Sequence, residues 1–79
     1  MHELTHEQVI KQENTEKQIM VVPNGATIEL QAKSNASGWV SMNTYTTNDS
    51  LELKLKPGII WRLSMSDGGA AAKAYMSGN

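Results

Sequence analysis

From Ile19 onward, apolar and polar residues alternate with a period of two, the spacing that sends successive side chains to opposite faces of a strand. Ile19-Met20-Val21-Val22 is a short apolar run, stopped by the turn signal Pro23-Asn24-Gly25. In Ala26-Thr27-Ile28-Glu29-Leu30-Gln31-Ala32-Lys33, the residues Ala26, Ile28, Leu30 and Ala32 face one way and the polar four face the other. Ser34-Asn35-Ala36-Ser37-Gly38 turns the chain into Trp39 to Thr46, a run rich in β-forming residues. After Thr47-Asn48-Asp49-Ser50, the stretch Leu51-Glu52-Leu53-Lys54-Leu55-Lys56 sets three leucines against three charges. Pro57-Gly58 suits the two central positions of a type II turn, whose twist does not fit a tight two-residue hairpin, so the chain is expected to arch there between facing sheets. Ile59, Trp61, Leu63 and Met65 then alternate with Ile60, Arg62, Ser64 and Ser66. Asp67-Gly68-Gly69 ends that strand, and Ala70 to Met76 reads as the last. The pattern predicts an all-β domain, a small antiparallel β-sandwich or barrel of about five or six strands with one wet face.

Residues 1–18, MHELTHEQVIKQENTEKQ, follow a different grammar. Met1, Leu4, Val9 and Ile10 are their apolar members. Thr5 and Gln8 have capping-box spacing, and Glu7/Lys11 and Glu13/Lys17 are i,i+4 pairs in the favourable order. Two readings stay open: a short helix over about residues 6–13, or an extended arm ordered against a partner. The domain division is therefore an N-terminal arm at 1–18 and a β-sandwich domain at 19–79, with Leu4, Val9 and Ile10 as the arm's candidate partner-binding residues.

A chain of 79 residues without cysteine has neither a disulfide nor a thiolate metal site to stabilise its small core. Association with other chains, as a homo-oligomer or on a larger assembly, is the expected remaining source of stability. Seven Lys plus Arg against eight Asp plus Glu give a net charge of −1, with the lysines scattered among acids, so nucleic acid is not an expected partner. No apolar run reaches membrane-spanning length, and no signal peptide is visible, so neither a membrane partner nor secretion is expected. The sequons Asn35-Ala36-Ser37 and Asn48-Asp49-Ser50 read as turns.

His2-Glu3-Leu4-Thr5-His6 matches H-E-x-x-H literally. Zinc proteases need this motif on a helix inside a packed domain, with a third ligand and an orienting shell. Here it sits in the polar segment, with no third histidine in the chain. Cysteine nucleophiles are absent, the serines lack a fixed histidine base, and the glycines fall in turns. No catalytic residue, cofactor or metal ligand is assigned, and the protein is expected not to be an enzyme. Of the aromatics, Trp61 is in register with Ile59 and Leu63, as a core residue would be. Trp39 and Tyr45 share one face opposite Val40, Met42 and Thr44, and the pattern leaves open which face is buried. Trp39 and Tyr45 are candidate partner-binding residues, for a subunit contact or for a glycan.

Across residues 24–77 the layout resembles small β-sandwich virion proteins of tailed bacteriophages. The matching stretches are Ala26-Thr27-Ile28-Glu29-Leu30-Gln31, Ser37-Gly38-Trp39-Val40, Leu53-Lys54-Leu55-Lys56-Pro57-Gly58, Trp61-Arg62-Leu63 and Ala74-Tyr75-Met76. The resemblance implies a non-enzymatic structural or decoration protein, made in the host cytoplasm and carried in many copies on a capsid or tail. The alternative expectation is a small carbohydrate-binding β-sandwich that uses the same aromatics.

Overall fold

The computed structural model describes residues 2–10, 15–34 and 36–77. Seven strands form among them, and no helix: β1 (His2–Leu4), β2 (Thr15–Val22), β3 (Ile28–Ser34), β4 (Val40–Tyr45), β5 (Asp49–Leu55), β6 (Ile59–Met65) and β7 (Lys73–Met76). They make two antiparallel sheets, one of four strands in the order β1-β7-β2-β5 and one of three in the order β4-β3-β6. The small antiparallel β-sandwich expected from the period-two pattern is the fold, with seven strands instead of the expected five or six because His2–Leu4 adds β1.

The alternation sets which side chains meet. In the four-stranded sheet Leu4, Ala74 and Val21 lie in one cross-strand row, and Met76, Ile19 and Leu51 in the next. In the three-stranded sheet Tyr45, Ile28 and Met65 form a row, and Leu30 stands opposite Leu63. These inward residues other than Met76 and Leu51, together with Leu53, Leu55, Ile10 and Ala72, make one buried cluster shared by both sheets, and Met76 and Leu51 pack half-buried against it. Burying such a side chain contributes about 1.5–3 kcal/mol. With no disulfide, this cluster is the main source of cohesion.

Turns between the sheets follow from local chemistry. Asn24 and Gly25 both take positive φ, 51° and 89°, and the Ala26 N–H donates to the Pro23 carbonyl at 3.0 Å. That is a type I′ turn, which Asn-Gly accommodates at little steric cost. It carries the chain from β2 in one sheet to β3 in the other, and the Asn24 side-chain amide fastens it to the Ala71 carbonyl at 2.8 Å. Gly58 has φ 92°, and the Pro57-Gly58 turn takes the chain from β5 to β6, between facing sheets as its twist requires. After β6, the Asp67 carboxylate accepts the N–H groups of Gly69 and Ala71, each at 2.9 Å, and of Ala72 at 3.1 Å. Those donors, Ala71 foremost, hold its carboxyl below the ordinary carboxylate range.

The N-terminal segment differs from the arm expected for it. His2–Leu4 is a strand paired with β7, and β2 begins at Thr15 instead of Ile19. Leu4 is 2% exposed and Ile10 is 3% exposed, both within the shared core. Between them the chain crosses to the other sheet, where the N–H groups of Glu7 and Ile10 donate to the Leu63 and Trp61 carbonyls of β6, each at 2.8 Å. No helical turn forms over the described part of the 6–13 stretch. Thr5 and Gln8 do pair, but within a β-turn: the Gln8 N–H donates to the Thr5 carbonyl at 3.1 Å, and the Gln8 amide oxygen accepts from the Thr5 N–H at 3.0 Å. The physical reason is that two buried apolar anchors and an open edge on β6 outweigh the weak helical propensity of a short polar segment. Met1, Lys11, Glu13 and Asn35, which enter the expected ion pairs, helix and turn, lie outside the described residues.

Two outcomes test this architecture. Leu4→Ala should cost about 2–5 kcal/mol in urea unfolding, a large part of the roughly 4–12 kcal/mol expected for a domain of this length. Val9→Ala, at an exposed position, should stay within about 0.5 kcal/mol; equal effects would mean that Leu4 is not a core residue. A carboxyl held below its unfolded value, near 3.9 for Asp, contributes stability above that value and loses it as pH falls through the folded value. Asp67→Asn should therefore lower the thermal midpoint at neutral pH, with the gap to wild type closing as pH falls below about 4. A gap independent of pH would refute the role of the carboxylate charge.

Candidate functional site

A β-bulge decides what the three-stranded sheet shows on each face. Pairing runs Leu30 with Asn43, then Gln31 with Ser41, so Met42 is the extra residue. Past the bulge the parity of β4 reverses. Tyr45 and Asn43 lie on the core side with Ile28 and Leu30, Ser41 lies on the outer side with Gln31, and Val40 returns to the inner side opposite Ala32. Trp39 and Tyr45, expected on one face, are thereby separated. Tyr45 is buried, with its hydroxyl accepting from the Asn43 amide at 3.2 Å, while Trp39 is half-buried on the outer side.

A polar strip crosses that outer face. The Arg62 guanidinium carbon lies 4.1 Å from the Trp39 ring centroid, and the Lys33 ammonium lies 5.8 Å from it. Arg62 Nε donates to the Gln31 side-chain oxygen at 2.6 Å, and Gln31 donates onward to the Glu29 carboxylate. Hydrogen bonds from Gln31 and then from Ser41 hold the Glu29 carboxyl below its ordinary value. At the other end, Arg62 Nη2 is 3.5 Å from a Glu7 carboxylate oxygen. The strip thus ties the crossing segment, β6, β3 and β4 together. An exposed stack contributes about 0.5–1 kcal/mol, and a half-exposed ion pair up to about 1 kcal/mol. Arg62 thus contacts Gln31, Glu7 and the Trp39 ring at once, and the strip acts as lacing across the sheet.

The H-E-x-x-H residues do not assemble. His2, Glu3 and Leu4 lie on an extended strand, and His6 lies in the turn that follows. Glu3 faces Lys73 at 3.5 Å, and His6 Nδ1 accepts the Met65 N–H at 2.9 Å. On a strand, residues four apart do not converge as they do after one helical turn. Among the described residues no group of three or more His, Asp or Glu is placed to hold a metal ion.

The end of the sandwich beyond the core is apolar. Ala32, Val40, Ile59 and Trp61 share the inner face of the three-stranded sheet, in rows Ala32–Val40, Ala32–Trp61 and Ser34–Ile59. Val40, Met42 and Ile59 are nevertheless 51%, 55% and 39% exposed. They line a shallow hollow of about 260 Å³ with Ala32 and Trp61. A second hollow, of about 410 Å³, continues from Ile59 and Trp61 toward Leu53, Lys54 and Lys56.

Of the five residues that the sequence singles out for partner binding, Leu4, Ile10 and Tyr45 are buried in the core, Val9 is exposed and Trp39 is half-buried beneath Arg62. The cluster of Val40, Met42, Ile59 and Trp61 was not singled out. Its sequence signal was the uncharged run from Ser34 to Asn48 joined to an alternation that continues past the last core row. Comparison of the chain with protein-family models, curated proteins and solved structures returns no match.

Removing the lacing residue separates a stack from mere charge. Arg62→Ala should lower unfolding stability by about 1–2 kcal/mol. Arg62→Lys should recover less than half of that, because an ammonium lacks the planar fork. An Arg62→Lys variant as stable as wild type would show that charge alone suffices.

Proposed function

We propose that this chain is a non-enzymatic structural protein that assembles in multiple copies by protein–protein contact, a virion structural or decoration protein on the capsid or tail of a tailed phage. The observation that carries the reading is the exposed apolar end built from Val40, Met42, Ile59 and Trp61, on a domain whose core is small and without covalent staples. Supporting it, the strand-and-turn layout over residues 24–77 resembles that class of virion protein. The polar groups of the outer face are committed to one another, and the H-E-x-x-H residues lie on a strand and turn, which suits scaffold work better than chemistry. The carbohydrate-binding alternative is less well supported: one aromatic of its platform is buried, and the ring of the other carries a guanidinium.

The test is incorporation into particles. Expressed during infection, the tagged chain should band with purified virions in a density gradient, and Val40→Asp combined with Met42→Asp should remove it from that band while the strand circular dichroism persists. Absence of the wild-type chain from the particles, or undiminished incorporation of the double variant, would overturn the proposal.

A further inference from the structure

The four sheet edges are protected unequally. β1 carries Glu3, which faces Lys73, and β5 carries Glu52 and Lys54. The edge of β6 is covered by residues 7–10. β4 pairs with β3 on one side and with no described strand on the other, and it has no charged residue. The charge-free run extends from Ser34 to Asn48. Edge strands usually carry Lys, Pro or a cover that prevents pairing with another chain. The protection on β4 is partial: the bulge at Met42, and the Asn43 side-chain oxygen, which accepts the Thr44 N–H at 2.9 Å.

We propose that the β4 edge pairs with β4 of a second copy of this chain, antiparallel about a two-fold axis normal to the sheet. This rests on the reading of the apolar end as an assembly surface, and names its occupant. The two three-stranded sheets become one sheet of six with both inner faces on the same side, so Val40 and Met42 of the two copies come side by side, while Ile59 lies on β6 at each outer edge. A second copy fits because an isologous contact brings the same stretch against itself, residue i facing j and j facing i. A charge near the axis would sit close to its own image, which is destabilising for like charges across a strand pair. The uncharged stretch has no such penalty, and it offers a charged partner nothing to pair with. The Asn43 cap and the bulge confine pairing to the Val40 half of the strand, where the apolar side chains also lie. The backbone bonds are therefore few, and the apolar contact supplies the remainder. Such a dimer is weak when isolated and strengthened when copies are held close in an array.

The chain has no cysteine, which makes single-cysteine reporters clean. Sedimentation equilibrium of the wild type over a broad concentration series should show reversible dimerisation, weakened about tenfold or more by Met42→Lys and unchanged by Met20→Lys on the other sheet. Both positions are exposed, so neither variant threatens the core. Under mild oxidation Ser41→Cys should form a covalent dimer well before Ser50→Cys, which lies on the charged β5 edge. A wild type that stays monomeric at all concentrations, equal weakening by both lysine variants, or equally fast crosslinking at both cysteines would each overturn the self-pairing. If self-pairing fails while the double aspartate variant still loses its place on the particle, the inference falls and the assembly reading stands.

Discussion

Ile19 and Val21 of β2 stand on one side of the turn at Pro23–Ala26, and Ile28 and Leu30 of β3 stand on the other. Their burial in one cluster supports everything else in the molecule. Four connections, β2–β3, β4–β5, β5–β6 and β6–β7, pass from one sheet to the other. Neither sheet is therefore a separable unit, and each hides its apolar face with side chains supplied by the other. With no cysteine to restrict the unfolded chain, the domain has this shared cluster and its turns to rely on. The many sheet-switching turns make the fold a single cooperative object.

β3 and β6 continue inward-facing apolar positions past Leu30 and Leu63 to Ala32, Trp61 and Ile59; Trp61 packs half-buried against the shared cluster, and Ile59 is exposed. On the reverse side of the same strands lies the lacing from Glu7 through Arg62 and Gln31 to Glu29. One face of these strands is thus committed to internal polar contacts, while the other ends in uncommitted apolar surface. That asymmetry, more than any single side chain, is the basis of the proposal that the chain works by contact.

Strand positions were legible in the sequence because period-two alternation is a local signal. Ile28 and Leu30, and Leu53 and Leu55, are buried as their spacing implies. The sheet change at Pro57-Gly58 was also legible, from turn chemistry alone. What escaped depends on distant partners. His2–Leu4 has one apolar residue, and its strand exists because β7 is there to pair with it. The extra residue at Met42 leaves no mark in the β4 alternation, since a bulge is a property of the pairing with β3. Missing it kept Trp39 and Tyr45 on a common face. The Trp39–Arg62 stack was invisible for a similar reason: it joins the residue before β4 to one on β6, strands that meet only through their common pairing with β3.

The position of β7 between β1 and β2 has a consequence for how the protein is born. His2–Leu4 is made before the other six strands, yet the strand it pairs with, Lys73–Met76, is made after all of them. β2 likewise waits for β7 on one of its two sides. β2 and β5 can pair before β7 is made, but the four-stranded sheet is complete only once β7 joins β1 to β2, and such distant pairings are slow to form. During that interval the uncharged stretch around β4 and the leucines of β5 are exposed together, and crowded nascent chains would meet through the same surfaces that the finished fold partly conceals.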